Sequence, residues 1–89
     1  MSITKDLEIK NIKGLHARAA AAFVKTAENF SSTIEVERMG LTVSGLSIMG
    51  LMMLSASKGT TIKITVSGSD EKKAIQALSQ LIDNKFGEE

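Results

Sequence analysis

With 89 residues, 43% of them hydrophobic, the chain has enough apolar material for one domain with its own core. A net charge of +1, with both signs interleaved, excludes a nucleic-acid binder that works by bulk charge, and a chain without cysteine has no disulfide, zinc–thiolate or thiol chemistry. Met1 to Lys10 alternates and carries both charge signs, unlike a signal peptide. The apolar run Leu46 to Leu54 is far short of the roughly 20 residues that cross a bilayer, so a soluble, cytoplasmic protein is expected.

Ile3, Leu7 and Ile9 alternate with Thr4, Asp6 and Glu8, which predicts a half-buried strand over 2–9. A loop from Asn11 to Leu15 follows, with Gly14 as its flexible point. Residues 17–28 are alanine-rich and place Ala20, Phe23, Val24 and Ala27 on one helical face, with Asn29 as the stop. Ile34 and Val36, then Leu41 and Val43, predict two strands joined as a hairpin at Met39-Gly40. Ser47 is placed to cap a short helix running to about Leu54. Ile62, Ile64 and Val66 predict a fourth strand. Ser67 to Asp70 read as a turn and cap, and Ala74, Ile75, Leu78, Leu81 and Ile82 mark a last helix to about Phe86, stopped by Gly87. The order β-α-β-β-α-β-α predicts an α+β fold. Its four-stranded antiparallel sheet carries three helices on one face and leaves Glu35, Glu37, Lys63 and Thr65 on the wet face.

Gly14-Leu15-His16-Ala17-Arg18 holds the only histidine of the chain, at a helix start, with a cation two residues on. Unpaired backbone N–H groups and the positive end of the helix dipole suit an anion there, above all a phosphoryl group. Imidazole, with a reference pKa of about 6.5, is a nucleophile near neutral pH. Arg18 is then the counter-charge, and the amides of Ala17 and Arg18 are donors for phosphoryl oxygens, at roughly 1.5–3 kcal/mol for each charge-assisted bond. The plain alternative is a surface or capping histidine. A metal site lacks a second His or Cys ligand, so none is expected, and no G-x-S-x-G elbow marks a hydrolase.

Ser47-Ile48-Met49-Gly50-Leu51-Met52-Met53-Leu54 is apolar around most of a short helix. Leu51 and Leu54 fit a core role. Ile48, Met49 and Met52 together fit a partner surface, where methionine adapts to several shapes. A phosphate on Ser47 would sit at the helix start and put charge beside that patch.

These two segments resemble the HPr family, the histidine phosphocarriers of the bacterial phosphoenolpyruvate phosphotransferase system, and the resemblance runs nearly end to end. It implies an open-faced β-sandwich, with residues 1–89 as a single domain that uses no cofactor. It also implies that His16 accepts phosphate on Nδ1 from phosphorylated enzyme I and passes it to a histidine of an EIIA-type protein. Ser47 matches the position phosphorylated by HPr kinase/phosphorylase. Ala21, Lys25, Ile48, Met49, Met52 and Met53 fall at positions the family uses for docking. Such a carrier is a monomer and a co-substrate of phosphotransferases rather than a turnover enzyme, with a transient interface below ~1,200 Å². Two departures stand out: Ala19 replaces the usual proline after the arginine, and Leu46 stands where Gram-positive relatives often carry lysine. Residues 52–59 and the tail 83–89 are similar to the nitrogen-related carriers, whereas 47–50 resembles the kinase-controlled ones. The expectation is a regulatory phosphorelay, with sugar uptake as the alternative. Two further readings compete: a regulatory interaction module that docks without carrying phosphate, whose known relatives lack the histidine, and an RNA-binding α+β domain. The latter needs stacking aromatics on the sheet, but the three Phe residues all lie outside the predicted strands.

Overall fold

The structure, a computed structural model, describes residues 1–88. Ser2–Glu8 form strand β1, Thr33–Arg38 β2, Leu41–Ser44 β3 and Thr61–Ser67 β4. They make one sheet in the order β1-β4-β2-β3, and every neighbouring pair is antiparallel. The period-2 patterns are in phase across it. Ile3 lies opposite Val66, Leu7 opposite Ile62, Ile34 opposite Val66 and Val36 opposite Ile64, so one face is apolar. The other face is polar. Lys63 sits between Asp6 and Glu37 on its two neighbouring strands, a favourable cross-strand arrangement, and the Thr4 and Thr65 hydroxyls are 3.2 Å apart. Lys5 shares the register of the apolar face but is exposed, a charge that discourages pairing at the open edge of β1.

The apolar face is covered by helices Ala17–Ala27 (α1), Ile48–Met53 (α2) and Glu71–Asp83 (α3). Helix α1 buries Ala19, Ala20, Phe23 and Ala27, and α3 buries Ala74, Ile75, Leu78 and Ile82. The alanines allow α1 to pack closely against α2 and α3, and Phe23 is fully buried in the core. Val24, expected on the buried stripe, is only half-buried, and Ala19 takes that place. The hairpin forms as predicted. Met39 and Gly40 both have positive φ (51° and 84°), the two-residue turn whose twist matches the strands. Arg38 ties this hairpin to α2 by donating to the carbonyl of Leu54 at 3.0 Å.

Two boundaries differ from the sequence reading. Strand β1 stops at Glu8, but Ile9 stays buried and exchanges backbone hydrogen bonds with Thr60 and Gly59. Helix α3 stops at Asp83 rather than near Phe86. Lys85, Phe86 and Gly87 all take positive φ (57°, 56° and 75°) and form a short 3-10 turn. Spacing misled here because Phe86 follows Ile82 by four residues, which fits a continuing helix. The chain instead reverses and buries the Phe86 ring by a left-handed turn, a conformation costing about 1–3 kcal/mol per non-glycine residue that burial of an aromatic ring can offset.

The cap of α3 also differs from a simple N-cap. The carbonyl of Asp70 accepts the first helical bond, from Ala74 at 3.0 Å, but its side chain does not cap the helix and instead reaches across the molecule. Its carboxylate accepts from the backbone N–H of Ser31 at 2.9 Å and of Ser32 at 3.0 Å, and from the hydroxyls of both serines. These bonds, led by the Ser32 hydroxyl, hold the Asp70 carboxyl below the usual carboxylate range. Glu71, the first helical residue, accepts from the N–H of Gly68 at 3.0 Å and so ties the preceding turn to the helix start.

Candidate functional site

The loop between β1 and α1 is held from inside. The fully buried side chain of Asn11 donates to the carbonyl of Gly14 at 2.7 Å, and the N–H of Gly14 returns to the carbonyl of Asn11 at 3.1 Å. Gly14 lies in the left-handed region (φ +66°), and Leu15, buried, donates its N–H to the carbonyl of Ala56 at 2.8 Å. This anchoring delivers His16 in extended backbone as the N-cap residue of α1. Its carbonyl accepts the first helical bond, from Ala20 at 2.8 Å, and its side chain does not cap. The amides of Ala17, Arg18 and Ala19 therefore precede the helical ladder and are available to an anion.

The His16 side chain is 29% exposed. It borders an open cleft of about 370 Å³ together with Ile12, Lys13, Arg18 and Glu88, and a smaller one of about 220 Å³ toward Ser55, Ala56 and Ser57. Two cations thus flank the imidazole, Arg18 from the helix and Lys13 from the loop. An oxyanion can be received there by the guanidinium, the ammonium and the first-turn amides together, with the ring as nucleophile.

Glu88 also enters this site. One carboxylate oxygen, Oε2, lies 2.5 Å from Nε2 of His16, and the other, Oε1, accepts from Nδ2 of Asn11 at 2.9 Å. The Glu88 side chain is 12% exposed. Burial pushes its carboxyl up, but the hydrogen bonds from Asn11 and His16 and the charges of His16 and Lys13 outweigh burial and hold it below the usual range. Neither Asn11, Lys13 nor Glu88 was singled out from sequence. The available signal was Phe86, an aromatic ring near the end of the chain that needs a place in the core and brings Glu88 with it.

The second predicted segment is also built as a distinct surface. Ser47 caps α2, its hydroxyl accepting from the N–H of Gly50 at 2.9 Å. Leu51 and Leu54 are buried, whereas Ile48, Met49, Met52 and Met53 are exposed, Met49 to 74%. Ala21 and Lys25 are exposed on α1, which packs directly against α2. No helix among the described residues is long and apolar enough to cross a membrane.

Comparison with known proteins places this geometry. The family model described as the PTS HPr component phosphorylation site matches residues 3–84. Phosphocarrier protein HPr of Neisseria meningitidis serogroup A is 48% identical over 97% of both chains. The HPr-like protein Crh of Halalkalibacterium halodurans is 42% identical, covering 93% of this chain and 99% of its own. Among solved structures, HPr-C-His from Thermoanaerobacter tengcongensis superimposes with a TM-score of 0.93 at 52% identity over 98% of each chain. The four-stranded antiparallel sheet with its helices on one face is thus shared in backbone as well as in sequence. From a matching model over most of its length, relatives near half identity and this common fold, it follows that the chain belongs to the HPr family of phosphotransferase-system phosphocarriers.

Proposed function

We propose that His16 is the residue that carries the phosphoryl group, accepting it from phosphorylated enzyme I and passing it to a histidine of an EIIA-type protein. One observation carries this reading: a partly exposed imidazole at the start of α1 shares an open cleft with Arg18. Nucleophilic attack by a neutral ring nitrogen forms the N–P bond as the donor's bond to phosphorus breaks, and the electron pair leaves with the donor. The Arg18 guanidinium and the amides of Ala17 and Arg18 then bind the transferred oxygens. Solvent access weakens these contacts enough for onward transfer.

Ala21, Lys25, Ile48, Met49, Met52 and Met53 form the docking surface for both partners in this proposal. Their exposure on two helices that touch each other supports it. Ser47 is a regulatory position for HPr kinase/phosphorylase, supported by its place at the head of the exposed patch. The chain works as a cytoplasmic monomer and a single domain over 1–89. The resemblance of residues 52–59 and 83–89 to nitrogen-related carriers favours a regulatory relay over sugar uptake. Incubation with enzyme I and phosphoenolpyruvate tests the core of this reading. An acid-labile mass gain that disappears in His16→Ala is expected, and no gain in the wild-type chain would remove it. Offering the phosphorylated protein to a nitrogen-related and to a sugar-specific EIIA side by side decides the branch.

A further inference from the structure

Asn11, Glu88 and His16 form an unbroken hydrogen-bonded chain from the interior to the open cleft. Asn11 is fully buried, and its amide orientation is fixed because Nδ2 faces two acceptors, the carbonyl of Gly14 and Oε1 of Glu88. Its own Oδ1 is buried without a partner among the described residues. A buried amide that leaves one oxygen unsatisfied is costly, so the two bonds it does make are structurally demanding. One of them aims the carboxylate of Glu88 at the histidine.

We propose that Glu88 is a positioning residue for His16: held by Asn11, its carboxylate keeps the imidazole proton on Nε2 and leaves Nδ1 as the nitrogen with the free electron pair. This rests on the reading of His16 as the phosphoryl acceptor. An ionised carboxylate can only accept, so the Nε2 atom it faces at 2.5 Å must be the donor. In the neutral ring, Nδ1 then carries the lone pair. When Nδ1 attacks phosphorus, the N–P bond forms and the donor keeps the electron pair of the bond that breaks. The proton stays on Nε2, and the ring becomes cationic opposite the Glu88 carboxylate. On transfer to the next acceptor, the N–P electron pair returns to Nδ1 and the ring is neutral again. No proton has to leave or arrive in either direction. The site is thus poised for a forward and a backward step of similar difficulty, as a carrier between two phosphohistidines requires. The carboxylate also bars phosphate from Nε2, by occupying that edge of the ring and by its charge.

The experiment compares the full chain with Glu88→Ala and Glu88→Gln. Nitrogen-15 NMR of the imidazole reads the tautomer, and phosphoenolpyruvate with enzyme I reads the rate of phosphate uptake. The wild-type ring is expected almost wholly in the Nε2–H form. Glu88→Ala should show mixed tautomers and take up phosphate about tenfold more slowly, the order of loss expected when a reacting group is misoriented. Glu88→Gln offers one accepting oxygen to two donors, Nδ2 of Asn11 and Nε2 of His16, so it should hold the Nε2–H tautomer only in part and recover only part of the rate. Circular dichroism checks that both variants keep the fold, which a general structural loss would change while leaving no reason for the Gln variant to recover the tautomer. A Glu88→Ala protein with wild-type tautomer and wild-type uptake overturns the role given to Glu88 and leaves the carrier reading standing. A wild-type chain that takes up no phosphate overturns the carrier reading, and this proposal with it.

Discussion

A Cβ built on Gly14 would lie 2.5 Å from the carbonyl oxygen of Ala56 and 2.9 Å from Cα of Ser57. Gly14 is therefore required twice, once by its positive φ and once by this approach of backbone to backbone. We expect Gly14→Ala to cost about 1–3 kcal/mol from the backbone conformation alone, with the clash added, and to slow phosphorylation because His16 is two residues away. Gly40→Ala is the control, since it shares a positive φ but meets nothing within 4 Å. Urea unfolding of both variants should show the larger loss at Gly14; equal losses would mean that the contact with Ala56 is unimportant.

Ser47 separates a structural role from a regulatory one. Its hydroxyl caps α2, so Ser47→Ala should cost roughly 1 kcal/mol. Ser47→Asp keeps an accepting oxygen and should hold stability near wild type while placing charge beside Ile48 and Met49. Slower phosphoryl transfer in the Asp variant, at unchanged melting temperature, is the expected pattern. Transfer at the wild-type rate would make the local charge irrelevant to docking.

On α2, neighbouring residues should give opposite phenotypes. Met49 is mostly exposed and Leu51 is fully buried. Met49→Glu should change stability by no more than about 0.5 kcal/mol and still weaken transfer, through a raised KM for partner proteins. Leu51→Ala should cost about 2–5 kcal/mol by leaving a hole under the helix. Denaturation curves and transfer kinetics on the same pair of proteins check both.

Acid should weaken the fold through Asp70 and Glu88. Both carboxyls are held below their ordinary values of 3.8 and 4.5, so the stability they contribute is fully present above those values. It is lost as pH falls through the lowered, folded-state values. Thermal melts across the acid range should show this decline, and Asp70→Asn should flatten its lower part. An unchanged slope in that variant would mean that the serine contacts of Asp70 do not depend on its charge.

Ala19 bears on the stiffness of the site. Its N–H precedes the first helical bond of α1, so proline removes no ladder bond there. Ala19→Pro should raise stability by about 0.4–1 kcal/mol and slow amide exchange at Ala17 and Arg18 relative to Phe23 in mid-helix. Exchange at Ala17 to Ala20 in the present chain already as slow as at Phe23 would show that the loop is not mobile.

Local pattern in the sequence was enough for the sheet, the two amphipathic helices and the hairpin, because each is written in alternation, i+3/i+4 spacing or turn chemistry. The exposed face of α2 was legible for a related reason: Ile48, Met49, Met52 and Met53 outnumber the inward places a six-residue helix offers. What was not legible depends on distant parts of the chain meeting. Asp70 looks like a local cap until Ser31 and Ser32 are brought beside it. The end of α3 was missed because Phe86 satisfies helical spacing and a left-handed turn equally. With that turn unseen, nothing in the sequence brought Glu88 to the site, although its carboxylate lies 2.5 Å from His16 Nε2.

The strand order carries a consequence for synthesis. β1 pairs only with β4, and β2 bonds to β4 on its other side, so no sheet beyond the β2–β3 hairpin can close before residue 67 is available. On the ribosome, the first strand must wait for its sole neighbour until α1, β2, β3 and α2 have all been made. Such long-separation pairing is slow relative to helix formation, so assembly around the late-arriving central strand is the step where nascent chains are exposed to aggregation.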